Sequence, residues 1–391
     1  MSDPRVVYSL GAKVGGPGIG TTAHHAVRGL ERHGLLRRLL CGARGALEIP
    51  ADRVRSLGLP SRALRRAAMH DRSGMLRSVH DQLYGRWSAR RLEACEVFHG
   101  WNGHCLEALE GARALGAQTW VECASCHPVP RARLLGDEHE RWGLPFRSND
   151  RARSRALAEL ERADRVLVPS EHAYRSFVAE GFERERLIRL PFGADLERYR
   201  PRPERPPGPF RVLFVGDCSV GKGVVYLLQA WEALAWTGAE LWLAGRVPRE
   251  AEPLLRRHRA LAGVRWLGFV ADPAPVYAAA DVFVLPSLDE GSALVCYEAL
   301  ACGLPVVTTP NAGSVVREGR EGFLVPSRDV AALCERLEKL RAEPELRREL
   351  GRAARERAEE FSWDRYGDAL ARAVREHASP GPEGRQPCAS R

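Results

Sequence analysis

Residues 210–223 read Phe210-Arg-Val-Leu-Phe-Val-Gly216-Asp-Cys-Ser-Val-Gly221-Lys222-Gly223. A nearly unbroken apolar run ends in glycines and a lysine, and a helical pattern over 223–235 follows. Such runs fit strands buried on both faces of a parallel sheet. The unit recurs along the chain. Strands are predicted at 5–10, 36–41, 95–99, 117–122, 164–169 and 186–190, then at 210–215, 240–244, 264–269, 281–285, 304–308 and 322–325. Helical patterns at 21–33, 104–115 and 290–301 lie between them. Alternating β and α units imply a doubly wound α/β architecture.

Residues 200–209 divide this pattern. They read Arg-Pro-Arg-Pro-Glu-Arg-Pro-Pro-Gly-Pro, and five prolines in ten residues exclude a helix interior or a central strand. We therefore expect one α/β domain over 1–198, a stiff hinge over 199–209 and a second α/β domain over 210–362. A last helix, 363–378, opens after Ser362, a natural N-cap, and is a candidate to pack back on the first domain. Residues 379–391 read as a disordered tail.

The 391 residues are 45% hydrophobic and 28% charged, enough apolar material for two cores. No apolar run reaches the roughly 20 residues of a membrane span, and the opening apolar run is too short for a signal peptide. Ten cysteines are too sparse for a disulfide scaffold, so reduced thiols and a cytoplasmic place are expected. Charge is uneven: residues 1–200 carry 33 Lys+Arg against 24 Asp+Glu, whereas 201–391 carry 26 of each. A basic first half suits an anionic partner, though arginine-rich composition alone would also produce it. Just three residues are lysine, and Lys13 and Lys222 both sit in glycine-rich loops.

The segment 216–223 approaches the phosphate loop G-x-x-x-x-G-K-[ST], but Gly223 stands where Ser or Thr would hold magnesium. That argues against a phosphotransferase and leaves the anion-binding physics intact: backbone close approach, a helix start, and the charge of Lys222. A second segment runs Leu285-Pro-Ser-Leu-Asp-Glu290-Gly-Ser-Ala-Leu-Val-Cys-Tyr-Glu298 and continues Ala-Leu-Ala-Cys-Gly303-Leu-Pro305-Val-Val. With Glu290 at a helix entrance, Glu298 would lie about 12 Å along the axis. Two such carboxylates contact opposite ends of an extended ligand. The N–H groups of Ser292, Ala293 and Leu294 would face an anion between them, with Gly291 making the turn.

This Glu290-x7-Glu298 element resembles that of the family-four retaining glycosyltransferases of the GT-B fold, also known as glycosyl transferases group 1. Gly15-Gly16 with Arg32-His33-Gly34, Pro169-Ser170-Glu171, Pro191-Phe192-Gly193-Ala194-Asp195, Gly268-Phe269-Val270, Asn311-Ala312-Gly313 and Gly322-Phe323-Leu324-Val325 follow the same order. The resemblance is dense over about 165–330 and loose before it. It implies two Rossmann-like domains facing across a cleft. It also implies transfer of a hexose from a nucleotide-diphospho-sugar to a hydroxyl acceptor, with retention, in polysaccharide or glycoconjugate biosynthesis. On it, Glu298 holds the ribose hydroxyls, Glu290 lies near the transferred sugar, and Lys222 with Ser292, Ala293 and Leu294 holds the diphosphate. Gly16, after Gly15, lets the first domain approach, Val270 meets the base, and His127 lies near the acceptor. Glu290, His127 and Lys222 are thus the catalytic candidates.

One departure is Asp217, where the family often carries Arg. At about 5 Å and an effective dielectric near 20, one unit charge changes the phosphate interaction by roughly 3 kcal/mol. Arg246 is the candidate replacement cation. Asp217 also keeps open a non-catalytic module that binds nucleotide sugars. No D-x-D motif stands out, so no metal and no cofactor are expected. Trp120-Val-Glu122-Cys123-Ala-Ser-Cys126-His127 contains C-x-x-C-H, but it lacks the setting for haem attachment and falls short of four zinc ligands. The arginine-rich stretch 60–93, with Leu64, Met69 and Leu76 interleaved, reads as a solvated helix face. The other reading is peripheral contact with an acidic membrane. No nucleic-acid recognition motif accompanies it. The acceptor can be a carbohydrate, a lipid-linked sugar or a small molecule.

Overall fold

The computed structural model describes residues 3–68, 71, 74–146, 148–202 and 208–378. Among them, seven strands form a first parallel sheet: β1 (Val6–Lys13), β2 (Leu36–Ala43), β3 (Val54–Ser56), β4 (Val97–Trp101), β5 (Gln118–Glu122), β6 (Arg165–Val168) and β7 (Leu187–Arg189). Their order is β3-β2-β1-β4-β5-β6-β7. Six more form a second parallel sheet: β8 (Phe210–Val215), β9 (Ala239–Ala244), β10 (Val264–Gly268), β11 (Val282–Leu285), β12 (Val306–Thr308) and β13 (Gly322–Leu324), in the order β10-β9-β8-β11-β12-β13. Every strand expected from apolar runs is present. The unforeseen one, β3, is three residues long with two of them exposed, so it leaves no apolar signature.

Both sheets are wound twice, and strand order reverses between β1 and β4 in the first and between β8 and β11 in the second. Ligands of such sheets sit outside the carboxyl ends of the strands at these reversals. The loops after β8 and β11 are the two segments singled out above, 216–223 and 286–293. Val212, Leu213 and Phe214, like Val282 to Leu285, are fully buried, which anchors both loops on rigid strands.

The chain crosses between domains twice, side by side. Leaving the first domain, Ala194 donates its N–H to the Phe361 carbonyl at 2.9 Å. Returning, Ser362 caps the helix Trp363–His377 by accepting from the Arg365 N–H. That helix lies on the helix Ile19–Arg32 of the first domain. Gly29 and Gly367 let the two backbones touch, His25 stacks on Trp363 at 4.5 Å, and Arg32 pairs with Asp364 and Asp368. Tyr366 reaches into the sheet and donates to Glu122 at 2.8 Å. Residues 203–207 of the proline-rich hinge and the tail 379–391 lie outside the described residues.

Away from the crossovers, Glu138 ties the domains together. It sits on the helix Pro128–Arg141 and is fully buried. It accepts from Trp142 Nε1 at 2.8 Å, from the Tyr226 hydroxyl, and from Arg328 Nε at 2.6 Å, and the last two belong to the second domain. Arg328 holds φ at +69°, an uncommon conformation for a residue with a side chain. Burial alone would raise the Glu138 pKa; the hydrogen bonds from Tyr226, Arg328 and Trp142 outweigh it and hold it below the ordinary value. Its contribution is therefore complete above the unfolded carboxyl pKa of about 4.3 and is lost as pH falls through the depressed folded value. In acid titrations followed by domain-sensitive scattering, wild type should stay closed to lower pH than Glu138→Gln, which should be loosened at every pH.

Candidate active site

The loop after β8 turns through Gly216 (φ +136°), makes a short 3-10 turn at Val220–Lys222 and enters the helix Val224–Leu234 through Gly223 (φ +67°). A Cβ on Gly223 would overlap the Pro286 carbonyl. Ser or Thr, which a magnesium-binding phosphate loop needs here, therefore has no room and no allowed backbone. Close packing of the β8 loop on the β11 loop explains the glycine. The same packing brings Lys222 Nζ onto Glu290 Oε1 as an ion pair, each side chain about a quarter exposed.

Glu290 is not at a helix entrance. The helix spans Leu294–Ala301, because Glu290 donates its N–H to Asn311 at 2.8 Å and Ala293 donates to Ala312 at 3.0 Å. These bonds hold 290–293 as a loop against the turn Pro310–Ala312. The Ala293 N–H is thus spent, a correction to the expected anion cradle. Among the described residues, the N–H groups of Leu294 and Val295, the first two helical positions, have no backbone partner. Among the described residues the Ser292 N–H, as expected, has no backbone partner, while its hydroxyl is held by Tyr297 at 2.9 Å and by the Gly313 carbonyl at 3.0 Å. Gly291 is pressed against the first domain: a Cβ there would overlap the Ala124 carbonyl, and Ser170 donates to the Gly291 carbonyl.

Glu298 lies in the second turn, half-buried. It accepts from the Tyr277 hydroxyl at 2.9 Å, with the Tyr199 hydroxyl and Arg198 close by. Burial raises its pKa, and the two hydroxyls and Arg198 oppose the rise without cancelling it. Tyr277 and Tyr199, 21 and 99 residues away in sequence, were not legible as partners. Both are brought in by packing, with ring centroids 5.8 Å apart.

Other expected residues fall in different places. Gly15 (φ +76°) and Gly16 form the turn after β1, at the first sheet's reversal. Arg246 sends its guanidinium over the exposed Phe269 ring, 4.5 Å from the centroid, toward the strand end that carries Val270. His127 packs within the first domain. It caps the helix Pro128–Arg141, its Nδ1 accepting from the Val129 N–H, and its ring is buried against Phe177 and Phe182 at 5.1 and 5.6 Å. Burial lowers its pKa, with Glu180 opposing. A proline at the first helical position after a strand explains why this histidine serves as a cap.

A cavity of about 1080 Å³ opens on the first domain beside this loop. Trp101, His104, Asp81, Arg77, Arg131 and Arg151 line it, and it reaches Ser125 and Cys126, the segment that Gly291 touches. Among the described residues Arg77 and Arg151 have no ion-pair partner, whereas Arg131 pairs with Asp289 at 3.2 Å.

Comparison with known proteins fits this geometry. The family model for glycosyl transferases group 1 matches residues 209–343, which include both loops. A D-inositol 3-phosphate glycosyltransferase of Geodermatophilus obscurus is 30% identical over 358 residues, covering 83% of this chain and 71% of that protein. The chain belongs to the glycosyl transferases group 1.

A second D-inositol 3-phosphate glycosyltransferase, from Corynebacterium jeikeium, is 33% identical over 266 residues, spanning 60% of the chain and 63% of that relative. Another, from Streptomyces bingchenggensis, is matched over just 55% of its own length. Among solved structures, a sucrose-phosphate synthase from Thermosynechococcus elongatus superimposes with a TM-score of 0.71 at 20% identity, covering 95% of this chain and 98% of that one. Anabaena HepE in complex with UDP-glucose gives 0.67 at 16% identity, covering 95% and 99%. The fold of this group 1 glycosyl transferase is GT-B.

Asp217 can now be weighed. It is solvent-exposed and, among the described residues, forms no ion pair. In water its repulsion of a phosphate at about 5 Å falls to roughly 0.8 kcal/mol. Asp217→Arg should therefore tighten nucleotide diphosphate binding about tenfold at low salt, twice that small repulsion, with the gain fading as salt rises. Calorimetric titration at two ionic strengths checks this.

Proposed function

We propose that the protein transfers a hexose from a nucleotide-diphospho-sugar to a hydroxyl acceptor with retention of configuration, without a metal ion at the diphosphate. The observation that carries the reading is the Lys222–Glu290 pair at the second sheet's reversal, followed along the chain by the N–H groups of Leu294 and Val295, which have no backbone partner among the described residues, and one turn later by the Glu298 carboxylate. The donor's diphosphate would take Lys222 from Glu290. It would also accept from the helix start, where the dipole favours negative charge. Glu290, released, accepts from a sugar hydroxyl. Glu298 accepts from the ribose hydroxyls, and Val270 with the Arg246–Phe269 pair borders the base.

In the transfer step the sugar C1–O bond to the diphosphate breaks, and its electron pair goes to the diphosphate oxygen. The acceptor oxygen bonds C1, and its proton leaves with the diphosphate. Lys222 and the helix N–H groups stabilise the charge that develops. Contact of the Ala124–Ser125 segment and Ser170 with Gly291 excludes water from the sugar end, which limits donor hydrolysis.

The acceptor would occupy the 1080 Å³ cavity. Its two unpaired arginines favour an acceptor with an anionic group, in line with the phosphate in the names of the relatives. Arg77→Gln with Arg151→Gln should raise the KM for an anionic acceptor by about 10- to 100-fold, equivalent to one or two lost charge-assisted bonds, and leave donor hydrolysis unchanged. NMR of the product's anomeric proton checks retention. A folded protein that binds donor but turns over no acceptor would favour the non-catalytic module.

Peripheral contact with an anionic membrane is the second proposal. Met75, Val79 and Leu83 form an exposed apolar stripe on the helix Met75–Ala89, beside Arg86 and Arg90. No helix among the described residues is long and apolar enough to cross a membrane. Co-sedimentation with anionic but not neutral vesicles tests it.

A further inference from the structure

We propose that Cys126, His172 and Asp289 form a binding site for a divalent transition ion of the zinc type, set between the two domains. One ligand atom from each, a sulfur, an imidazole nitrogen and a carboxylate oxygen, all lie within 4.8 Å of one another. This donor set suits zinc, which takes thiolate, imidazole and carboxylate in a tetrahedron; magnesium and calcium prefer oxygen alone. Cys126 and Asp289 are buried and His172 is half-buried, so the site is enclosed on the protein side and open at one position for water.

Asp289 supplies the second, independent sign. His172 Nε2 lies 3.2 Å from its Oδ1. Its Oδ2 is buried yet makes no hydrogen bond, because the nearby Arg131 Nε, at 3.2 Å, is off the bonding line. With an ion on Oδ1, Arg131 becomes the charged partner behind the ligating carboxylate, a common arrangement around metal sites. Binding releases the Cys126 thiol proton to solvent as the sulfur–metal bond forms, and thiolate plus carboxylate neutralise the two charges of the ion.

The C-x-x-C spacing alone points to the wrong pair. Both cysteines are buried in the first domain's apolar cluster with Phe98 and Val121, but Cys126 is the one whose thiol reaches the second domain, donating to the Glu290 carbonyl at 3.6 Å. His172 belongs to the helix Glu171–Ala179 and Asp289 to the loop that carries Glu290. The ion therefore fastens the Glu290 loop to two segments of the first domain and holds the cleft closed. Cys126 and Arg131 also line the 1080 Å³ cavity, so the site borders it, and it stands whether or not the proposed transfer does.

The test is cobalt(II) added to the chelator-treated full chain. One equivalent should produce a thiolate-to-cobalt charge-transfer band and the intense visible bands of four-coordinate cobalt, both displaced by zinc. Cys126→Ser should remove the charge-transfer band. His172→Gln, on a half-exposed helix position, and Asp289→Asn should each weaken binding by more than about 100-fold, beyond what residues behind the ligands contribute. Cys334→Ser, outside the site, should change nothing. Wild type without a stoichiometric thiolate band, or a band that survives in Cys126→Ser, overturns the proposal. Neither result bears on donor binding, which is measured separately.

Discussion

Lys222→Ala should lower kcat/KM for sugar transfer by about 10²- to 10³-fold, the loss typical of removing one preorganised donor from a site of developing charge. The variant removes the cation that faces the diphosphate and also strands Glu290, whose described partner is Lys222. Because the pair is a quarter exposed, screening keeps its own contribution to stability small, and the variant should remain folded. Its loss should appear mostly in kcat, since charge on the leaving diphosphate grows toward the transition state. Lys222→Arg should recover part of the rate. The lysine stem passes over Gly216, where a Cβ would come within 3.1 Å of it, so the absence of a side chain at 216 leaves the stem its path. A variant with raised KM and unchanged kcat would place Lys222 in uniform binding instead.

Glu298→Gln should weaken donor binding by about 10- to 100-fold, as two hydrogen bonds to a charged acceptor are exchanged for neutral ones. The pH dependence separates this from a packing defect. Burial raises the Glu298 pKa, so its carboxylate is protonated as pH falls toward that value, above the ordinary glutamate pKa of about 4.3. Wild-type donor affinity should therefore fall in mildly acidic buffer, where most exposed carboxylates remain charged. In Glu298→Gln the affinity should be low and flat across the same range. The folded state gains nothing from this carboxylate at neutral pH, since a raised pKa makes its ionisation a cost. The variant's unfolding midpoint should equal or exceed that of wild type.

The two sheets were legible because their strands are continuous apolar runs, and the two site loops because each follows such a run with glycine and charge. Gly223 shows how far spacing alone reaches: it excluded a magnesium ligand, but the cause, contact with Pro286, lies 63 residues away. Glu290 and Glu298 were found by spacing, whereas the helix start was placed four residues early because the bonds from Glu290 and Ala293 to the 311–312 turn are non-local. His127 was read from its place after β5, and its ring went to Phe177 and Phe182, 50 and 55 residues on. Glu138 carries no motif at all. Its partners Tyr226 and Arg328 come from another domain, and charge-rich composition around it hid a fully buried carboxylate.

The most direct test of the donor site is calorimetric binding of a panel of nucleoside diphosphates and their sugars, with no divalent ion added, to wild type and to Glu298→Gln. One base should bind wild type selectively as both diphosphate and sugar conjugate, with the affinity lost in the variant. Folded wild type that binds none of them, or a variant that binds as tightly as wild type, would contradict a donor held between Lys222 and Glu298.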